Sequence, residues 1–509
     1  MTWTATAPQC FESDKIRFDA LPYLARGGID IGCGPKKVWP HLIGIDSGKD
    51  TALFGIPMKP DIALADATRL PLFADGAIEN VFSSHLLEHI ERHLDALKEW
   101  WRVLKVGGHL VLYLPHADFY PNIGQPGSNP DHQHDFRPDD IAAALRIIAP
   151  DWTLLENEAR NDGHEYSFFM VFRKESHGHG QSDATDCRPE KTAGLVRVGA
   201  HGDALWASSP AALLKEQGYH VTAYVAATGG EILRHDPNID RLVVLPDGVL
   251  DDEELLSFWA HQAAKHDRWI NLIGSVEQRL LYHPSSNEFF LPHALRHRYG
   301  NANYLETVHD YAGLPHDFRQ AYFASDEEMR AARAIRAKLP DGPLVVLNPC
   351  GSGPAKTWPH AQAFMRRLAA AKIACVVLGD LRDLDLEEIE PYAVVVGTEW
   401  PVRLALAFVQ LADAVVATES LIANSVAQTN SLKVVLLSHS SNDNLTRHWK
   451  NTAALEAGAV ACHPCHRIHG HMGFCGKDTA TGAAACMASY GPDRVADFII
   501  ARLAAKEAA

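Results

Sequence analysis

Short apolar runs alternate with helix-spaced segments along most of the chain. In the first third the runs are GIDIG, LIGID, NVFSS, GHLVLYLP and SFFMVFRK. Between them, HLDALKEWWRVLK has apolar residues at helical spacing, and VGG ends it. This alternation predicts a mostly parallel sheet with helices on its faces. Residues 174–192, KESHGHGQSDATDCRPEKT, break the pattern. They hold no apolar periodicity and read as a flexible linker. The alternation then resumes with GLVRVGA, HVTAYVA, RLVVLP and WINLIG, and again with PLVVLNP, IACVVLGD, YAVVVG, AVVAT and KVVLLS. A charged, helical stretch near 316–342 separates those two groups. The expected organisation is one α/β domain over 1–173, the linker 174–192, and two further α/β domains over 193–325 and 326–509. No short-period repeat is evident.

Composition narrows the class. A chain of 509 residues exceeds one ordinary core. Its 47% hydrophobic and 22% charged residues are those of a globular protein. A formal charge of −16 repels phosphate backbones, which disfavours nucleic acid as a main partner. No apolar run reaches the roughly 18 residues of a membrane span, so any membrane contact is expected to be peripheral. The N-terminal MTWTATAPQCFESDK lacks the basic and apolar segments of a secretory signal. With nine scattered cysteines, the expected setting is the reducing cytoplasm.

The chain begins an α/β domain twice. In GGIDIGCGPKK, Gly32 and Gly34 form a sharp turn after a strand, where glycine lets backbone approach a ligand. Asp46 ends the next strand, where a carboxylate can accept both hydroxyls of a ribose. Asp66, in LADATRLP, ends a third strand and can accept from an adenine amino group. Residues 27–116, with DIGCGP, GID, ADATRLPLFADGAIENVFSSHLLEHI and WRVLKVGGHLVLYLP, resemble class I S-adenosylmethionine-dependent methyltransferases. The resemblance implies a Rossmann-like fold. It places Asp30, Gly32 and Gly34 at the methionine end of the cofactor, Asp46 on the ribose, and Asp66 with Ala67 at the adenine. The short interval between Gly34 and Asp46 departs from the family by leaving little room for the usual first helix. In NPDHQHDFRPDD, His132, His134 and Asp135 can take a proton from an acceptor hydroxyl, or can simply be solvated loop residues. His85, Glu88 and His89 of SSHLLEHI read as shaping the cofactor pocket or packing on a helix.

The second beginning, VRVGAHGDALWASSPAALLKEQG, resembles the opening of the heptosyltransferase-type glycosyltransferases. That family has the GT-B fold, two facing Rossmann-like domains around a cleft. The resemblance covers roughly 194–450 and implies that Asp203 is the general base for the acceptor. Asp203 also suits a helix cap, and the two roles are compatible. VVLNPCGSGPAKTWPHAQAFMRRL resembles the donor half, where Lys356 would offset a nucleotide-sugar diphosphate and Ser352 would bond phosphate oxygens. DAVVATESLIANSVAQ aligns with a loop that normally reads Asp-Thr-Gly and then His. Here Glu419, Ser420 and Leu421 replace the three, and Asn424 stands for the histidine. The glycine-to-leucine change removes a conformation only glycine adopts freely, so the donor contacts of Glu419, Ser420 and Asn424 are expected to be atypical.

Downstream, Cys462, Cys465, Cys475 and Cys486 resemble a structural zinc knuckle in the Cys-rich segment 462–486, with His463, His466, His469 and His471 as alternative ligands. A redox pair, disulfides or unligated thiols are the competing readings. The expected protein is a bifunctional transferase. It would use S-adenosylmethionine in its first half and a nucleotide-sugar in its second, on a small-molecule or glycan acceptor in polysaccharide or glycoconjugate synthesis. Two other readings stay open: a phage-type enzyme modifying a nucleic acid or nucleotide, and a chain in which one half only binds.

Overall fold

The computed structural model describes residues 11–48, 58–185, 189–379, 392–397 and 399–507. The chain divides into two compact units, 1–190 with 243–267, and 191–242 with 268–509.

The first unit is built on one eight-stranded sheet. Its strands are β1 (Ile29–Ile31), β2 (Ile43–Asp46), β3 (Ile62–Ala63), β4 (Ile78–Ser84), β5 (Leu104–Pro115), β6 (Trp152–Arg160), β7 (Ser167–Lys174) and β8 (Gln181–Asp183), in the order β3-β2-β1-β4-β5-β7-β6-β8. β7 runs antiparallel to β5 and β6, and the other pairings are parallel. The helix His93–Val103 lays Ala96, Leu97, Trp100 and Trp101 against the sheet, as its spacing predicts. Strand order runs outward in opposite directions from β1 and β4. The crevice beyond their carboxyl ends is therefore the topological switch point of the sheet, where ligands bind in open α/β folds.

Two features of this unit differ from expectation. The stretch 174–192, expected to be a flexible linker, contains β8, paired in parallel with β6. The Gln181 side-chain amide donates to the carbonyls of Arg146 and Ala149 at the end of the helix Pro138–Ile148. Backbone pairing and these side-chain bonds order a polar segment that buries little apolar surface. Within the linker, 186–188 lie outside the described residues. Second, 243–267, expected to belong with 193–325, is part of the first unit. Its helix Asp252–Ala263 lies on the helix Glu12–Leu24, with Arg17 paired to Glu254 at 2.6 Å. The buried Asp19 there receives Arg160, His261 and Lys265.

The second unit holds two parallel sheets covered by helices, the Rossmann-like pair that the GT-B expectation requires. One contains β9 (Thr192–Arg197), β10 (His220–Val225), β11 (Arg241–Val244) and β12 (Arg268–Asn271), in the order β11-β10-β9-β12. The other contains β13 (Leu344–Asn348), β14 (Ala374–Leu378), β15 (Ala393–Gly397), β16 (Ala414–Thr418), β17 (Leu432–Leu436) and β18 (Thr452–Leu455), in the order β15-β14-β13-β16-β17-β18. Their switch points lie between β9 and β12 and between β13 and β16.

Candidate functional sites

Each switch point collects the residues that the motifs singled out. At the first, β1 delivers the glycine turn. Gly32 and Gly34 have φ of +76° and +58°. A Cβ on Gly32 would strike the Leu86 side chain at 2.8 Å, whereas the same position on Gly34 faces open space. The turn thus packs on one side and leaves bare backbone on the other. Asp46 ends β2, and its two carboxylate oxygens accept from the Gly34 and Gly48 amides at 3.0 and 3.1 Å. Asp30 faces inward. It is buried, accepts from the Val38 amide at 2.7 Å, and burial pushes its carboxyl up to about 7. Asp30 therefore braces the turn from behind. The stretch between Gly34 and Asp46 contains no regular helix, as its length predicts. Asp66 lies in the turn after β3, exposed, with Thr68 donating through both its amide and its hydroxyl, which holds the carboxyl below its usual range. The Ala67 carbonyl accepts from Trp100 Nε1.

Beyond β4 the chain enters a strained turn. His85 has φ of +47°, unusual for a non-glycine residue, and such conformations cluster at functional sites. Its Nε2 faces Ser167 Oγ at 3.0 Å, and burial drives its pKa down to about 3. Glu88 follows, 0% exposed, with neither carboxylate oxygen in a hydrogen bond. Desolvation pushes its carboxyl up to about 8. Three imidazole nitrogens surround its Oε1: His85 Nδ1 at 3.8 Å, His89 Nε2 at 3.9 Å and His132 Nε2 at 3.9 Å. The loop carrying His132 is sewn to this turn, because the Glu88 carbonyl accepts the Gln133 and His134 amides. His134 points elsewhere, against His93 at 3.2 Å and the Glu91 carbonyl at 3.1 Å. Asp135 accepts from the Ile123 amide. Thus the structure brings His132, but not His134, into a cluster with the residues read as shaping the cofactor pocket or packing on a helix. The HLLEH spacing on a single turn groups His85, Glu88 and His89, but nothing in the sequence joins His132 to them.

In the second unit, β9 leads through Gly199 into the helix His201–Trp206. Ala200, not Asp203, is the N-cap; Asp203 stands at N3 and accepts from the Ala200 amide at 2.9 Å, the return bond of a capping box. It also shares the buried Arg197 with Glu277, at 3.6 and 2.6 Å respectively. Burial first, and then Glu277, raise the Asp203 pKa. Glu277, which follows β12, was not singled out by any motif. At the other switch point, Lys356 ends the turn Pro354–Lys356 with its ammonium 3.9 Å from Glu419. Burial lowers the Lys356 pKa, against the pull of Glu419, Cys465 and Asp203. Glu419 is committed to its own chain. It accepts from the Ser438 and Ser440 amides and the Ser438 hydroxyl, and meets His439. Although burial opposes it, His439, Lys356 and Ser438 hold its carboxyl far below the usual range.

Ser352 is exposed beside this turn. Ser420 caps the helix Leu421–Ser425, its Oγ accepting from the Ala423 amide. Asn424 is buried, donating to the Ser420 carbonyl and accepting from Trp206 Nε1 at 3.1 Å. Leu421 opens this helix, and it is not among the positive-φ residues. The glycine conformation of the usual motif is therefore not used here.

The four cysteines gather without converging. Cys486 feels the other three thiols, and Cys465 feels those of Cys462 and Cys475. Burial is the main cause that pushes both up to about 12. Cys475 has His469 Nε2 at 3.6 Å. Among the described residues, the one group of three or more metal-binding side chains within 4.8 Å is Glu88, His89 and His132.

Comparisons with known proteins bear on both halves. Residues 29–112 match the family model described as a methyltransferase domain. A curated relative from Streptomyces fradiae, an uncharacterized 37.1 kDa protein in transposon TN4556, is 33% identical over 143 residues. The match takes in 24% of this chain and 40% of that protein, so the chain spans less than half the length of this relative. Among solved structures, the chain is similar to the E. coli ADP-heptose heptosyltransferase II, at 16% identity and a TM-score of 0.44, over 62% of this chain and 99% of that one. It is similar to a glycosyl transferase family 9 protein of Veillonella parvula, at 13% and 0.44, over 61% and 98%. It is also similar to a S-adenosylmethionine-dependent methyltransferase of Archaeoglobus fulgidus, at 18% and 0.24, over 32% and 92%.

Proposed function

We propose that the chain joins two transferases: a methyltransferase using S-adenosylmethionine in the first unit and an inverting glycosyltransferase using a nucleotide-sugar in the second. The observation that carries the reading is that chemistry-bearing residues gather at the switch points of all three sheets. In the first unit the open face of Gly34 gives backbone for the methionine end to lie on, and Asp46, at the tip of β2, is placed to accept ribose hydroxyls. When bound, the cofactor supplies an electrophilic methyl group. The chain's residues hold it, exclude water and receive the acceptor, whose hydroxyl side is given to the Glu88 and His132 cluster.

In the second unit, Asp203 takes the proton of the acceptor hydroxyl as the nucleotide diphosphate leaves, and Lys356 offsets the charge that develops on that diphosphate. Arg197 orients the Asp203 carboxylate. Glu277 raises its basicity, which suits a general base. Ser352 bonds the diphosphate oxygens, while Glu419, Ser420 and Asn424 shape the pocket wall from behind. The acceptor is a glycan or small molecule of polysaccharide or glycoconjugate synthesis, and the site of action is the cytoplasm. The Cys-rich segment serves as a structural brace, closed by zinc when the thiols draw together.

The test is a cofactor and donor screen on the full chain. Calorimetry with S-adenosylmethionine, and transfer assays with a panel of nucleotide-sugars, should each give a signal. A donor that binds without being transferred or hydrolysed would make the second half a binding module instead.

A further inference from the structure

We propose that Glu88, His89 and His132 form a binding site for a divalent transition metal, zinc being the type ion, at the edge of the methyltransferase crevice. Three observations converge on it. The ligand atoms of these three side chains lie within 4.8 Å of one another. The Glu88 carboxylate is fully buried with both oxygens unpartnered by any hydrogen bond. A buried carboxylate without such partners is costly, and a cation among it and neutral imidazoles offsets that cost.

Third, His89 is prepared as a ligand. His89 Nδ1 faces the Asp131 carbonyl at 3.2 Å. A carbonyl only accepts, so Nδ1 carries a proton, and Nε2, 3.9 Å from Glu88 Oε1, is the nitrogen available to an ion. This is the outer-shell arrangement that orients metal-binding imidazoles. The Glu88 carbonyl in turn fixes the His132 loop through the Gln133 and His134 amides, so ligands from two separate segments are held together. A bound ion sits about 2 Å from each ligand, so the three side chains need draw in only slightly. Two imidazoles and one carboxylate are a donor set suited to zinc and similar ions, and they leave open positions for a further oxygen ligand.

The position gives the ion a role that rests on the methyl-transfer reading. The cluster follows β4, and Ser83 at the end of β4 is in register with Ile31 of β1, next to the glycine turn. An acceptor hydroxyl entering the open coordination position would lose its proton to solvent more readily. Its oxygen would then bond to the methyl carbon as the carbon–sulfur bond breaks and S-adenosylhomocysteine leaves.

The test uses the full chain, stripped of metal and titrated with Co²⁺ alone, which reports its ligands by absorption. The wild type should show the weak visible d–d bands of a nitrogen and oxygen site. The Cys-rich segment would announce itself separately by thiolate-to-cobalt charge transfer in the near ultraviolet. Glu88→Gln, His89→Ala and His132→Ala should each weaken the nitrogen–oxygen signal by roughly 10-fold or more. Circular dichroism and S-adenosylmethionine calorimetry report whether each variant is folded. Unchanged cobalt affinity in folded variants, or a wild type that shows only charge-transfer bands, would overturn the site. The wild-type spectrum decides the matter even where a variant does not fold. Cobalt binding without S-adenosylmethionine binding would sink the methyl-transfer reading and leave the metal site standing.

Discussion

Asp30 shows how one buried carboxyl links a ligand turn to pH. Its pKa rises from 3.8 to about 7 because burial outweighs the Val38 hydrogen bond and Lys37. The folded chain therefore holds a proton there that the unfolded chain has released. Stability from this residue is full below pH 3.8, falls as pH rises toward 7, and is lost above it. Asp30→Asn should flatten that part of the stability–pH curve, read as urea midpoints across the same window. Asp46, proposed to accept the ribose hydroxyls, is its counterpart. Asp46→Ala removes a charge-assisted acceptor and should weaken S-adenosylmethionine binding by about 2–3 kcal/mol in calorimetry. Equal affinity would remove the ribose assignment. Asp203 is the test residue of the second unit. Asp203→Asn should keep the fold and donor binding while lowering turnover roughly 100-fold. Because its pKa is raised, wild-type turnover should fall on acidification earlier than an ordinary carboxylate would allow.

At the scale of elements, the contact between the helices His201–Trp206 and Leu421–Ser425 joins the two sheets of the second unit. Trp206 Nε1 donates to Asn424 Oδ1, and Gln320 Nε2 donates to the Asn424 carbonyl. Asn424→Ala leaves the buried indole donor without its partner, which costs about 1–3 kcal/mol and should show as a lower melting temperature. A polar residue that stands where the loop it resembles has histidine thus supports the architecture. The helix Asp252–Ala263 makes a similar point in the first unit. Its cap is conventional, with Asp251 accepting from the Glu254 amide. Its partners come from the far N-terminus, through Arg17, Phe18 and Asp19.

For the whole molecule, that helix changes what cutting the chain should do. A protease nick between 184 and 191 severs the backbone, yet the first unit still needs 243–267 from the other fragment. The two fragments should therefore elute together in gel filtration under native conditions and separate only in denaturant. Two freely separating, folded pieces would show that 243–267 is dispensable. The sequence by itself determined the sheets. Runs such as LVVLN and VVAT are buried throughout, and a run of that kind has few alternatives to a covered parallel strand. It also determined the glycine turn, because a sharp turn with positive φ after a buried strand favours glycine, and that requirement is local. Short polar strands were not legible: β8 exists through its pairing with β6, and no apolar pattern marks it. The Glu88 cluster was out of reach for the same kind of reason. Residues 88 and 132 are far apart in the chain, and only the pairing of β4 with β5 and the carbonyl of Glu88 bring them together. Glu277 likewise gained its place beside Asp203 from the pairing of β12 with β9. The assignment of 243–267 to the first unit was decided by packing alone. Helical spacing states that a face will be buried, but the complementary surface that buries it is a property of the folded chain.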